Sequence, residues 1–172
     1  MAEYPDLNYC PQCGEPLQDR EAYGRTRKYC PACDRVIFRD PKVAAGVVVE
    51  DNGQVLLVKR GTGPGQGLWS IPAGFVEFDE DPALTAAREC LEETGLKVQL
   101  LGLLDVLPGS GMSGEASFLI VYRACVLEGH LKANDDADQV AFFDVGNLPQ
   151  LAFESTEQAL EIWRRRRHNH PV

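Results

Sequence analysis

The stretch from Gly74 to Leu96 restricts this chain more than any other, because it gathers seven carboxylates, one arginine and no lysine around a single helix signal. Asp81 can cap that helix, Pro82 suits its first turn, and Gly95 can end it, so the spacing predicts a helix over 82–94. At 100° per residue, Ala83, Leu84, Ala87, Cys90, Leu91 and Thr94 fall on one side, which is expected to face the core. Glu89, Glu92 and Glu93 fall within about 100° of one another on the other side, with Arg88 at its edge. Three carboxylates in little more than one turn repel each other unless a cation sits among them. Hard divalent cations bind carboxylate oxygens, and Mg2+ commonly joins one or two of them to substrate phosphates. A solvated acidic helix face is the plainer alternative. It leaves unexplained the turn through Pro72 and Gly74 that shortly precedes the helix.

Six cysteines organise the rest. Cys10-Pro-Gln-Cys13 and Cys30-Pro-Ala-Cys33 give two Cys-x-x-Cys pairs at the spacing of a zinc site. Each pair can close a knuckle that turns both sulfurs toward one ion, with Gly14 supplying backbone freedom after the first. Disulfides fit poorly with an N-terminus, MAEYPDLNYC, that has neither the basic start nor the apolar core of an export signal. Four thiolates leave zinc no open position, so this ion would be structural, Zn2+ holding together a segment too short and polar for a core. Cys90 and Cys125 are expected to be small core residues.

With 172 residues and no apolar run long enough for a membrane span, the chain is expected to be soluble and cytoplasmic. Net charge is −9, and it is unevenly spread. Residues 1–41 are near neutral, with 6 basic and 7 acidic groups, whereas residues 42–160 carry 7 basic against 18 acidic. That balance argues against a broad nucleic-acid surface, which needs a basic field. Arg164 to Arg167 read as a solvated helix end or as a contact for an anionic partner. Val43–Glu50 and Gln54–Arg60 read as strands about an Asp51-Asn52-Gly53 turn. The glycine-rich loop 61–67 lacks the Lys-Ser/Thr end of a phosphate-binding P-loop. Further strands are expected over 97–107, 116–128 and 139–145, and an amphipathic helix over 155–167. The fold class is therefore α/β or α+β, with mixed strands between helical layers.

The pattern Gly74-x5-Glu80-x7-Arg88-Glu89-Cys90-x-Glu92-Glu93-x-Gly95-Leu96 closely resembles the Nudix box, Gly-x5-Glu-x7-Arg-Glu-U-x-Glu-Glu-x-Gly-U, where U is bulky and apolar. Only Cys90, at the first U, departs. The resemblance implies an α/β/α sandwich around a mixed sheet, with the box as a loop-helix-loop, here preceded by a zinc ribbon. The expected domains are 1–40, the ribbon, and 41–172, the Nudix domain. The resemblance also implies Glu89 and Glu93 as direct Mg2+ or Mn2+ ligands, Glu92 as a ligand or its neighbour, and the Ala73 carbonyl as a further ligand. Arg88 would hold the glutamates by salt bridges, and Glu80 would support the loop and helix. The reaction implied is substitution at phosphorus in a nucleoside diphosphate linked to another group. Many relatives add a base or ligand from outside the box. Here Asp138, Gln139 and Glu115 stand as candidates for it, or Glu92 within the box acts as base instead. Family habit further suggests a homodimer.

A four-cysteine ribbon before such a domain is similar to two groups. NADH pyrophosphatases carry Ser-Gln-Pro-Trp-Pro-Phe-Pro after the box, where this chain has Leu104-Asp105-Val106-Leu107-Pro108-Gly109-Ser110-Gly111. Bacterial and plastid proteins similar to plant FAD and ADP-ribose pyrophosphatases share the Tyr-Cys-Pro-x-Cys-Gly start, Pro41-Lys42-Val43, Gly67 to Phe75, and Leu151-Ala152-Phe153. The expected substrate is accordingly ADP-ribose or FAD, with NADH or another dinucleotide as the alternative. A reading of another class makes the chain an RNA- or protein-binding module with a degenerate Nudix domain, against which the intact glutamates and Arg88 argue. Trp69, Phe75, Phe78 and Phe153 could stack an adenine or belong to the core. Arg60 and Arg123 could meet phosphate or sit in structural salt bridges.

Overall fold

Residues 7–110 and 116–169 are described by the structure, a computed structural model, and the chain divides between Pro41 and Lys42 into two units. The first holds a three-stranded antiparallel sheet in the order β1 (Gln18–Ala22), β2 (Arg25–Cys30), β3 (Arg35–Ile37). Tyr23 and Gly24, with φ of 52° and 74°, make the two-residue hairpin between β1 and β2, the geometry whose twist matches its strands. Among the described residues of this unit, Cys10 and Cys30 alone are fully buried. Its described residues form no hydrophobic core cluster.

The second unit is built on β4 (Lys42–Asp51), whose apolar run from Val43 to Val49 suits a strand covered on both faces. Alternation sorts its side chains: Ala45, Val47 and Val49 join one core cluster, and Val48 joins the other. Asn52 and Gly53, with φ of 48° and 83°, turn the chain into β5 (Gln54–Arg60). The remaining elements are β6 (Trp69–Ser70), β7 (Ala73–Phe75), α1 (Pro82–Thr94), β8 (Leu96–Ser110), β9 (Ala116–Gly129), β10 (Ala137–Asp144) and α2 (Glu154–Asn169). The sheet runs β10-β5-β4-β9-β8, with β6 on β5 and β7 on β4. Its β4–β9 pairing is parallel and the others antiparallel, so the sheet is mixed. Ala86 and Cys90 of α1 pack on one face, and Ala159, Leu160 and Trp163 of α2 on the other. The fold is an α/β/α sandwich. Among the described residues no helix is long and apolar enough to cross a membrane.

Two local features position the site. First, β4 and β5 pair only beside their turn, at Glu50↔Val55 and Asp51↔Gln54. Beyond that they part, and β7 takes up Ala44–Gly46 of β4 while β6 takes up Val58 and Lys59 of β5. Second, α1 enters from this fork with the caps its sequence calls for. The Asp81 side chain accepts from the Ala83 N–H at 2.7 Å, and Gly95, at φ 72°, closes the last turn onto the Leu91 carbonyl.

The expected core face of α1 needs correction. Its buried residues are Thr85, Ala86, Cys90, Glu93 and Thr94, whereas Leu84 is 67% exposed and Leu91 39%. The helix is turned so that a carboxylate goes inside and two leucines stay out. Cys125, half-buried, contacts the Gln99 carbonyl on the neighbouring strand and is not a core residue in the sense of Cys90.

Candidate catalytic and metal sites

Glu93 is 3% exposed, and among the described residues its carboxylate accepts one hydrogen bond, from the Ala73 N–H at 3.3 Å. Burial pushes its carboxyl up to about 8, helped by the charges of Asp136 and Glu89. Burial also raises Glu89, against the pull of the neighbouring Arg88 guanidinium. The Glu89 carboxyl lies directly over Gly74, where a methyl group would fall on it. Gly74 is thus needed for space. Gly74→Ala is expected to displace Glu89 and lower turnover about 10- to 100-fold, with the far-UV spectrum unchanged. Turnover at the parent level would show that Glu89 can move without consequence.

Arg88 ties the outer part of the cluster together. Its Nε and a terminal nitrogen each donate to Glu80 at 2.9 Å, a two-point fork, while Nη1 reaches Glu89 at 2.7 Å and Glu92 at 2.8 Å. This holds the Glu80 carboxyl far down, to about 2. The guanidinium fixes the direction of three carboxylates but does not reach Glu93. A half-buried set of hard oxygen donors with surplus negative charge suits a divalent cation, and Glu89 and Glu93 are the side chains that could hold it.

The chain after β9 completes the site in a way the sequence pattern did not single out. The N–H groups of Lys132 and Asn134 cap the Thr94 and Glu93 carbonyls at 2.9 and 3.1 Å, satisfying helix-end acceptors. That contact brings Asp135 and Asp136 within electrostatic reach of Glu89 and Glu93 respectively. Asp136 also fixes the loop after β5, its carbonyl accepting from the Gly61 N–H at 2.8 Å. Asp138 sits at a β-bulge beside Gly61, and Gln139 is exposed opposite Lys59. Glu115 lies outside the described residues. No spacing rule links residue 136 to the helix. Only the capping of α1 does.

The substrate-contact candidates separate. Arg60 lies close enough for its charge to bear on Glu93, and is held by the Pro64 carbonyl at 2.8 Å and the Phe153 ring at 5.1 Å. Trp69 packs edge-on against Phe143 with centroids 4.7 Å apart, as part of the core. Phe75 is 58% exposed beneath the Lys42 ammonium, and Phe78 is wholly exposed. Arg123 alternates with Val121 and so stands on the α2 face of the sheet, opposite the carboxylates.

In the first unit, the sulfurs of Cys10, Cys13, Cys30 and Cys33 all lie within 4.8 Å of one another, the one such ligand set among the described residues. Zinc–sulfur bonds of about 2.3 Å put tetrahedral sulfurs roughly 3.8 Å apart. Cys13 and Cys30 are 3.5 Å apart and none of the four is in a disulfide. The backbone N–H groups of Cys13 and Gln12 lower the Cys10 thiol to about 7, whereas the neighbouring Cys13 sulfur pushes Cys33 up to about 12. Four thiolates this close require a cation, and the donor set fits zinc.

Comparison with known proteins places this geometry. The model of the NUDIX domain matches residues 40–163. The chain is 38% identical over 119 residues to an ADP-ribose pyrophosphatase of Methanocaldococcus jannaschii, covering 69% of this chain and 70% of that protein. It is 26% identical over 167 residues to an NAD-capped RNA hydrolase NudC of Stutzerimonas stutzeri, covering 95% of this chain but only 58% of that longer protein. The crystal structure of a NUDIX hydrolase from Nitrosomonas europaea superposes with a TM-score of 0.85 at 30% identity, over 95% of this chain and 93% of that one.

Proposed function

The chain belongs to the NUDIX hydrolases, and on that basis we propose that it cleaves the pyrophosphate of ADP-ribose in a divalent-metal-dependent reaction, releasing AMP and ribose 5-phosphate. The observation that carries this reading is the buried Glu93 carboxylate, which feels the charges of Glu89 and Asp136 and, among the described residues, makes no salt bridge to offset them. The 38% identity to an ADP-ribose pyrophosphatase supports the choice of substrate. FAD, which has the same AMP-pyrophosphate half, stands beside it.

Glu89 and Glu93 would hold Mg2+ or Mn2+, with the Ala73 carbonyl at the start of β7 as a third donor. Such an ion supplies charge for the bridging pyrophosphate and lowers the pKa of a water molecule bound to it. Arg88 keeps Glu89 and Glu92 aimed, and Glu80 keeps Arg88 in place by its two-point fork. Among the described residues outside the box, Asp136 is the carboxylate whose charge bears on Glu93, and it would take a proton in preference to Asp138. Arg60 would meet the substrate phosphates, and Arg123, on the far face, would not. The four cysteines would hold Zn2+ as a structural ion of the first unit.

A second reading has support from the NudC likeness, which spans 95% of this chain: a dinucleotide pyrophosphate, as NADH or as an NAD cap on RNA. A panel of ADP-ribose, FAD, NADH and NAD-capped RNA, each with Mg2+ or Mn2+, separates the two. ADP-ribose turnover well above the rest is expected. Turnover confined to NADH or capped RNA would replace the first reading, and no turnover of any would sink both.

A further inference from the structure

The first unit is near neutral by composition, yet strand register sorts its charges by face. Between β1 and β2, Gln18 opposes Tyr29, Arg20 opposes Arg27, and Ala22 opposes Arg25. Directly opposed residues of an antiparallel pair share a face. One face therefore carries Arg20, Arg25, Arg27 and Tyr29, with Val36 beside Tyr29, and no strand carboxylate. Asp19 and Glu21 fall on the other face, where Asp19 pairs with Lys28 at 3.0 Å and Glu21 accepts from the Thr26 hydroxyl. At the margin, Asp34 accepts from the Tyr29 hydroxyl at 2.6 Å. Among the described residues none of the three arginines is ion-paired to a carboxylate.

Two of the arginines lie against rings, and Arg27 also donates from Nε to the Ala22 carbonyl at 3.2 Å. Arg20 is 4.4 Å from the Tyr29 centroid and Arg27 is 4.9 Å from that of Phe38. Tyr23, at the hairpin tip, is 79% exposed and leans on Phe38, itself 52% exposed, with centroids 5.8 Å apart. Exposed aromatic rings beside guanidinium groups that no described carboxylate pairs with offer stacking for bases and contacts for phosphates, the chemistry of single-strand recognition. An acidic peptide would satisfy the arginines but make no use of the rings, and a duplex hides its base faces.

We propose that this sheet face binds single-stranded RNA, with Arg20, Arg25 and Arg27 on its phosphates and bases stacked on Tyr23 and Phe38. The choice of RNA over DNA rests on the second reading above; the binding itself does not. Three phosphate contacts give a slope of about −2 for log K against log salt.

The test is fluorescence anisotropy of the full-length, zinc-loaded protein with an uncapped single-stranded RNA oligonucleotide. Single-stranded DNA, duplex RNA and polyglutamate serve as comparison ligands. R25Q with R27Q, and Y23A with F38A, should each weaken RNA binding about 10-fold or more. R35Q, a charge removed from the other face, should leave it unchanged, and all variants should keep zinc and ADP-ribose turnover. Absence of RNA binding, indifference to the paired substitutions, or equal binding of polyglutamate would overturn the proposal. Tighter binding of single-stranded DNA would overturn the assignment to RNA. Because the oligonucleotide has no cap, neither result bears on the pyrophosphatase reading.

Discussion

Glu93→Gln is expected to lose hydrolysis by orders of magnitude while melting at a higher temperature than the parent, at pH 8 without added divalent metal. Glu93 titrates near 8 in the folded protein against an ordinary value of 4.5, with desolvation as the main cause. The folded chain therefore holds this proton more tightly than the unfolded chain does. The associated stability is full below about 4.5 and is lost as pH rises through about 8, a change on the order of a few kcal/mol. Glutamine has no ionisation in this window and can still accept from the Ala73 N–H. So the parent's melting temperature should fall across the window, and the variant's should fall less. Added Mg2+ or Mn2+ should restore the parent by mass action and do little for the variant. Melting curves at several pH values, with and without the metal, make the measurement. Near-normal turnover by the variant, or a lower melting temperature at pH 8, would remove Glu93 from the centre of the site.

The same residue shows what the sequence could and could not reveal. The ends of α1 were legible because Asp81, Pro82 and Gly95 act locally, each on backbone groups within one turn. The Asn52-Gly53 hairpin was legible for the same reason. The rotation of α1 was not. Apolar periodicity assigns Leu84 and Leu91 to the core, and nothing in a helical wheel says that a carboxylate will be taken inside. Local rules tend to fail where function asks for an arrangement they disfavour. Asp136 was obscure for another reason, since it reaches Glu93 only because the chain after β9 caps the end of α1. Arg123 needed strand parity to be placed on the far face. In the first unit, a count of charges gave neutrality, and only the β1–β2 register showed that the arginines and the acids lie on different faces.

Removing the zinc ligands should unfold the first unit. With Cys10 and Cys30 alone fully buried among its described residues, hydrophobic burial contributes little to hold β1, β2 and β3 together. The cation–π contacts of Arg20 and Arg27 are exposed and worth little singly. What remains is the four-sulfur set, and structural zinc binding on the order of 10–16 kcal/mol is folding free energy for a unit of this kind. Cys30→Ser should accordingly reduce bound zinc from about one per chain and open the segment between the two knuckles to protease. Serine cannot replace the buried sulfur, because it is a poorer zinc ligand and leaves Cys13 and the Cys33 N–H facing a hydroxyl. Zinc release with a chelator should produce the same cleavage in the parent, reversed when zinc is returned. If the hairpin between Gln18 and Cys30 instead stays protected from protease and hydrogen exchange in zinc-free protein, its stability has another source. The four thiols would then not be the core that this unit otherwise lacks.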